Sequence, residues 1–100
     1  YAVKNLFDLA GEVTVAGSRI HRDRPPAASD AQAVARLREA GAICLGAVNM
    51  GEYAYDFTGE NAHYGPSRNP RDPTRMTGGS SGGSGAAVAS GEVPLALGSD

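Results

Sequence analysis

The sequence predicts an α/β fold, a sheet covered by helices, and three observations carry that expectation. Tyr1 to Lys4 reads as a short strand with Lys4 at its end. Ser29-Asp30-Ala31-Gln32 has capping-box form, Ser29 as N-cap and Gln32 three residues on, ahead of a helix from Asp30 to Ala40. Ile43 to Val48 is a run apolar on both faces, as suits a strand in a sheet covered by helices. Strand, helix and strand in that order imply α/β layers.

The remaining elements follow in order. Asn5 to Gly17 is mixed in character. Ser18 to Pro26 reads as a polar loop that leaves Arg19, His21, Arg22 and Arg24 on a wet face. The helix from Asp30 places Ala31, Val34, Leu37 and Ala40 on one face and Arg36, Arg38 and Glu39 elsewhere, and Gly41 supplies its left-handed C-terminal residue. Asn49 is placed to cap a short helix, Gly51 to Asp56, that carries Tyr53 and Tyr55. From Phe57 to Gly79 nothing is periodic. Loops this long inside a compact domain are usually functional or disordered, and the aromatics and asparagines here favour function. His63 has no His, Cys or carboxylate partner at metal-ligand spacing, so a local hydrogen bond is expected of it and no metal.

Composition narrows the function classes. A net charge of −2 argues against nucleic-acid binding as the main activity. The longest apolar run, Ala42 to Val48, is too short to span a bilayer. Cys44 is the only cysteine, which excludes an internal disulfide and a thiolate metal cluster and fits a reducing, cytoplasmic setting. Both ends read as cut: the chain starts inside the Tyr1-Ala2-Val3 run and stops as Leu95 to Asp100 reaches a turn. Residues 1–100 are therefore expected to be a segment of a larger domain.

The stretch GGSSGGSG, residues 78 to 85, carries the functional question. A flexible linker is one reading, but a small-residue helix continuing into Ala86-Ala87-Val88-Ala89 begins within the run itself. A phosphate-binding P-loop needs a lysine after the glycines, and none follows. The dinucleotide fingerprint lacks its third glycine, Val88 standing there instead. Gly79-Ser80-Ser81-Gly82-Gly83 fits the nucleophile elbow G-x-S-x-G with Ser81 as nucleophile, yet that motif needs a strand running straight into the turn. Asn69 to Thr77, rich in proline and arginine, does not read as one.

Lysine usage adds a sharper signal. Eight of the nine basic residues are arginine and Lys4 is the lone lysine. Arginine keeps its proton in a protein, whereas a buried lysine can give it up and act as a base. A serine needs such a base to become a nucleophile, and no Ser–His–Asp set stands out. On the residues alone, Lys4 is either that base or an ordinary surface residue.

A family resemblance bears on the choice. Gly78-Gly79-Ser80-Ser81-Gly82-Gly83-Ser84 through Gly98-Ser99-Asp100 resembles the core of the amidase signature family. Tyr1-Ala2-Val3-Lys4-Asn5 resembles that family's lysine-bearing strand, Gly41 to Met50 its strand of the form GAxxxGxxNM, and Gly65 to Pro70 its approach to the signature. The resemblance covers essentially the whole chain. It implies an α/β fold with a mixed central sheet flanked by helices, and a Ser–cis-Ser–Lys triad in which Lys4 is the lysine and Ser80 the cis serine. Ser81 would support them by hydrogen bonding, and the nucleophile serine would lie just beyond Asp100. The turn after the NM strand would border the substrate, so Tyr55 and Asp56 are expected at the substrate site, together with Gly78 and Gly79. No cofactor is implied.

Two branches of the family compete. Gly51 to Gly65 is most similar to the 1-carboxybiuret hydrolase group, which acts on small urea-like amides. The rest is equally similar to the glutaminase component of aspartyl/glutamyl-tRNA amidotransferase, which hydrolyses glutamine for a partner. Both imply a small-molecule amide substrate and a small helical accessory subunit, with no membrane and no direct nucleic-acid contact from this segment. A non-catalytic scaffold is the reading from another class.

Overall fold

The computed structural model describes all residues, 1–100. Its centre is β1, Ala2–Lys4, a strand with every residue buried. Strand β2, Gly46–Val48, lies on one side of it and β3, Ala96–Leu97, on the other, in the order β2-β1-β3. Both pairings are parallel, with Ala2 opposite Gly46 and Ala96, and Lys4 opposite Val48. The α/β class stands, and the three strands of this chain all run one way.

Alternation along β1 divides the core. Val3 points to the face covered by α1, Gln32–Glu39, where Tyr1, Val3, Leu9 and Val34 form one apolar cluster. Ala2 points to the opposite face, under α2, Gly82–Ala89, where it packs with Ala87 and Val93. The two-residue period of a strand puts Lys4 on the same side as Ala2. The lysine is thereby directed at the start of α2.

Several boundaries differ from the sequence expectation, each for a physical reason. Helix α1 starts at Gln32 with Ala31 at the N-cap, and Ser29 does not cap it. The Asp30 carboxylate instead accepts from the Ala10 amide at 2.8 Å and pairs with Arg38 at 2.6 Å. At the other end Gly41, at φ +86°, donates to Arg38 O, and Ala42 donates to Leu37 O, the paired bonds of a Schellman close. Ala40 is exposed, outside the apolar stripe. Strand β2 keeps only the last part of the Ile43–Val48 run: it is an edge strand, and Ile43 and Leu45 are 76% and 69% exposed. Strand β3 is likewise shorter than the Val93–Leu97 run, because Val93 is buried beneath α2 and Pro94 has no amide to pair.

Residues 51–56 form one 3₁₀ turn, Glu52–Ala54, and not a helix capped by Asn49. Tyr53 and Ala54 both take left-handed backbone, φ +52° and +60°, which a right-handed helix cannot continue. The Asn49 side chain donates to Gly65 O at 2.9 Å. Both histidines buttress this turn. His63 Nε2 lies 3.0 Å from Glu52 Oε1, the local bond expected of it. His21, expected on a wet face, is half-buried with its Nε2 3.0 Å from the Tyr53 hydroxyl. No helix is long and apolar enough to cross a membrane.

Candidate functional site

In a parallel sheet the carboxyl ends of the strands share one edge, where ligands of α/β proteins gather. Lys4 ends β1 at that edge, Ser99 follows β3 there, and the loop after β2 leads toward the glycine-serine segment. Helix α2 then closes the space above. Its glycines are what let it come so near. A Cβ on Gly83 would overlap the Asn49 carbonyl oxygen and stand 2.7 Å from the Asn49 nitrogen, and one on Gly82 would stand 2.7 Å from Thr77 Oγ1.

Lys4 has no exposed surface. Its Nζ lies 2.5 Å from Ser80 Oγ, 3.0 Å from Ser81 Oγ, 2.9 Å from Ser99 Oγ and 3.3 Å from Ser99 O. No carboxylate is among these partners. Burial therefore holds the lysine below its ordinary range, with the Asp100 charge pulling the other way.

The hydroxyls around Nζ are not equivalent. Ser81 Oγ donates to Ser99 O at 2.9 Å and accepts from the Ser99 amide at 3.1 Å. Its proton is committed, so toward Lys4 it can only accept. Although Ser81 occupies the N-cap of α2, it makes no side-chain cap bond, because its hydroxyl is turned to Ser99. Ser80 Oγ has Lys4 as its one protein partner, which leaves its proton free to move. Ser84 Oγ, one turn along, donates to Leu97 O at 2.7 Å and ties α2 to β3.

The backbone at Ser80 is held from the loop after β2. The Gly79–Ser80 peptide bond is cis. Gly51 donates to Ser80 O at 3.0 Å, Gly79 donates to Phe57 O at 3.1 Å, and Gly78 donates to Thr58 O at 3.2 Å. The residues before Ser81 form no strand, so the geometry of a nucleophile elbow is missing.

The structure thus brings Lys4, Ser80 and Ser81 together, with Gly78 and Gly79 leading into them. Asp56 lies beside Gly79, with its carboxylate turned onto its own loop. Tyr55 stands apart at 91% exposed. None of the surface hollows is lined by Lys4, Ser80, Ser81, Tyr55 or Asp56. No three His, Cys, Asp or Glu side chains are grouped to hold a metal. Ser99 is the partner of Lys4 and Ser81 that sequence reasoning left without a role. The parallel register holds its signal: with Val3 opposite Leu97, the residues after Leu97 arrive beside Lys4.

Comparison with known proteins is consistent with this geometry. The family model described as Amidase matches residues 1–100. The 1-carboxybiuret hydrolase subunit AtzE of Pseudomonas sp. (strain ADP) is 65% identical over 100 residues, covering all of this chain and 22% of that protein. The glutamyl-tRNA(Gln) amidotransferase A-type subunit of Treponema pallidum (strain Nichols) is 52% identical over 101 residues, covering all of this chain and 20% of that protein. A solved structure described as an unexpected vestigial protein complex, revealing the evolutionary origins of an s-triazine catabolic enzyme, superposes with a TM-score of 0.99. It is 65% identical and covers 100% of this chain and 22% of its own. The corresponding amidotransferase subunit of Thermotoga maritima superposes at 0.91 with 40% identity, covering 97% of this chain and 21% of its own. The chain spans about a fifth of the length of these relatives.

Proposed function

The chain belongs to the amidase family, and from that premise we propose that the whole protein hydrolyses a carbon–nitrogen bond of a small urea-like or carboxamide substrate. The observation that carries the reading is Lys4, fully buried without a carboxylate partner and 2.5 Å from a serine whose proton is uncommitted. Neutral Lys4 Nζ takes the proton of Ser80 Oγ as Ser80 takes one from a nucleophile serine beyond Asp100. That serine adds to the amide carbonyl. The carbon–nitrogen bond breaks, the departing nitrogen receives its proton back through Ser80, and an acyl-enzyme remains. Water, deprotonated along the same path, releases the acid.

Ser81 and Ser99 hold the lysine in this scheme, and Gly78 and Gly79 shape the approach to Ser80. Tyr55, exposed on this chain, is offered to the substrate side. The higher identity to the 1-carboxybiuret hydrolase subunit supports a urea-like substrate. The 52% identity to an amidotransferase subunit supports a second reading, glutamine hydrolysis for a partner enzyme. Both relatives are described as subunits, which supports assembly with an accessory chain.

The test is labelling of the whole protein with a serine-directed fluorophosphonate, followed by mapping of the adduct and assay on 1-carboxybiuret and on glutamine. An adduct just beyond Asp100 with turnover of the urea-like amide is expected. An adduct on Ser81 overturns the relay, turnover of glutamine alone selects the second reading, and no adduct with no turnover leaves a scaffold.

A further inference from the structure

Asp56 occupies an unusual place. Its Oδ1 accepts from the Thr58 amide at 2.9 Å and the Thr58 hydroxyl at 2.7 Å, and its Oδ2 accepts from the Gly59 amide at 2.7 Å. Both oxygens are thus engaged by the loop itself. Burial opposes ionisation of this group, and the bonds from Thr58 and Gly59 outweigh it, so the carboxyl stays below its ordinary range.

The side chain also fills a gap between two backbones. A Cβ on Gly51 would stand 2.5 Å from Asp56 Cβ and 2.8 Å from its Oδ2. A Cβ on Gly79 would overlap Asp56 Oδ2 and stand 2.8 Å from the Gly59 amide. Those two glycines hold Ser80: Gly51 bonds its carbonyl, and Gly79 precedes it and bonds Phe57. The Asp56 carboxylate is wedged where only glycine leaves room, between the two segments whose spacing sets the position of Ser80.

We propose that Asp56 is a positioning residue for Ser80, a spacer fixed by Thr58 and Gly59 that sets the distance between Gly51 and Gly79, and not a ligand of the substrate. The inference rests on the proposed Lys4–Ser80 relay for its effect on turnover. Its structural part stands apart from that relay. A side chain that acts through the serine's placement changes the chemical step, whereas a substrate ligand changes binding.

The test uses Asp56→Ala and Asp56→Asn in the whole protein, reading kcat and KM separately and the Gly51–Ser80 and Lys4–Ser80 distances by crystallography. Asp56→Ala is expected to lower kcat about tenfold or more with KM within about twofold, to let Gly51 and Gly79 close on the emptied space, and to shift both distances from their wild-type values. Asp56→Asn keeps the volume and the Thr58 bonds, and so recovers most of kcat. If Asp56→Ala does not fold, the Asn variant decides: a kcat loss at constant KM with a displaced Gly59 amide supports the spacer, and a raised KM at constant kcat overturns it. A raised KM at constant kcat overturns the proposal in favour of a substrate ligand, and unchanged kinetics with unchanged distances overturn it outright. Displaced distances in a protein that turns over no amide would sink the relay and leave the spacer standing.

Discussion

Helices α1 and α2 each have eight residues and each cover one face of the same central strand, yet they are built on opposite terms. Helix α1 is an amphipathic helix of the ordinary kind. It buries Val34, rests Leu37 against the core and turns its arginines outward. Helix α2 opens with glycine, glycine, serine and glycine, buries Gly82, Ser84 and Ala87, and has no side-chain cap. Glycine in a helix interior costs about 0.5–1 kcal/mol relative to alanine, so α2 is poor by propensity. What it gains is proximity: Asn49 backbone lies against Gly83, and Ser80 and Ser81 reach Lys4 from just ahead of its first turn. Larger apolar side chains hold one face of β1, and a small cluster of Ala2, Ala87 and Val93 with close backbone approach holds the other.

The largest expected effects break the second face at its polar centre. Lys4→Arg should abolish turnover of the whole protein while leaving it folded, because guanidinium keeps its proton. Ser80→Ala should lower kcat about 10²–10⁴-fold, the range of a lost proton-transfer group. Ser81→Ala should cost on the order of tenfold, since its committed hydroxyl only orients the lysine. Equal losses at both serines would defeat the distinction drawn from their hydrogen bonds.

Next in size is the pH dependence of Lys4. Burial lowers its folded-state pKa below the ordinary lysine range, so between the two values the unfolded chain binds the proton and the folded protein does not. Stability contributed through this group is full above the ordinary range, falls as pH drops through that window, and levels off below the depressed value. If the proposed relay operates, activity requires neutral Lys4 and should fall with pH through the depressed value. Melting curves of wild type and Lys4→Met against pH check the first statement: the difference between them should change only inside the window. A pH–kcat profile checks the second.

The same contrast explains what was legible in the sequence. Helix α1 could be read because its stripe and its Gly41 close are local signals. Its start slipped by two residues because Asp30 is claimed by Ala10 and Arg38, partners that no capping pattern reveals. Lys4 and Ser80 were legible through the lone lysine and the resemblance. Ser99 was not, because its contact with Lys4 depends on parallel register across 95 residues. The turn at Tyr53 escaped because its left-handed backbone is held by His21 and His63 from distant loops.

The smallest effects sharpen the comparison within α2 itself, through two glycines in its first half that differ sharply in surroundings. Helix propensity alone predicts that alanine stabilises both positions by about 0.8–1 kcal/mol. At Gly85 nothing lies within 4 Å of a Cβ and the residue is exposed, so Gly85→Ala should realise most of that gain. At Gly83 a Cβ would overlap the Asn49 carbonyl oxygen, which is backbone and also accepts the Gly83 amide at 3.1 Å. Neither can give way without moving the loop that carries Gly51 and its bond to Ser80. Overpacking of this kind costs about 1–3 kcal/mol, enough to reverse the sign of the propensity gain. Denaturant midpoints of the two variants should therefore move in opposite directions, with kcat lost only in Gly83→Ala. Stabilisation by both would mean that α2 is glycine-rich for some reason other than the closeness of its neighbours.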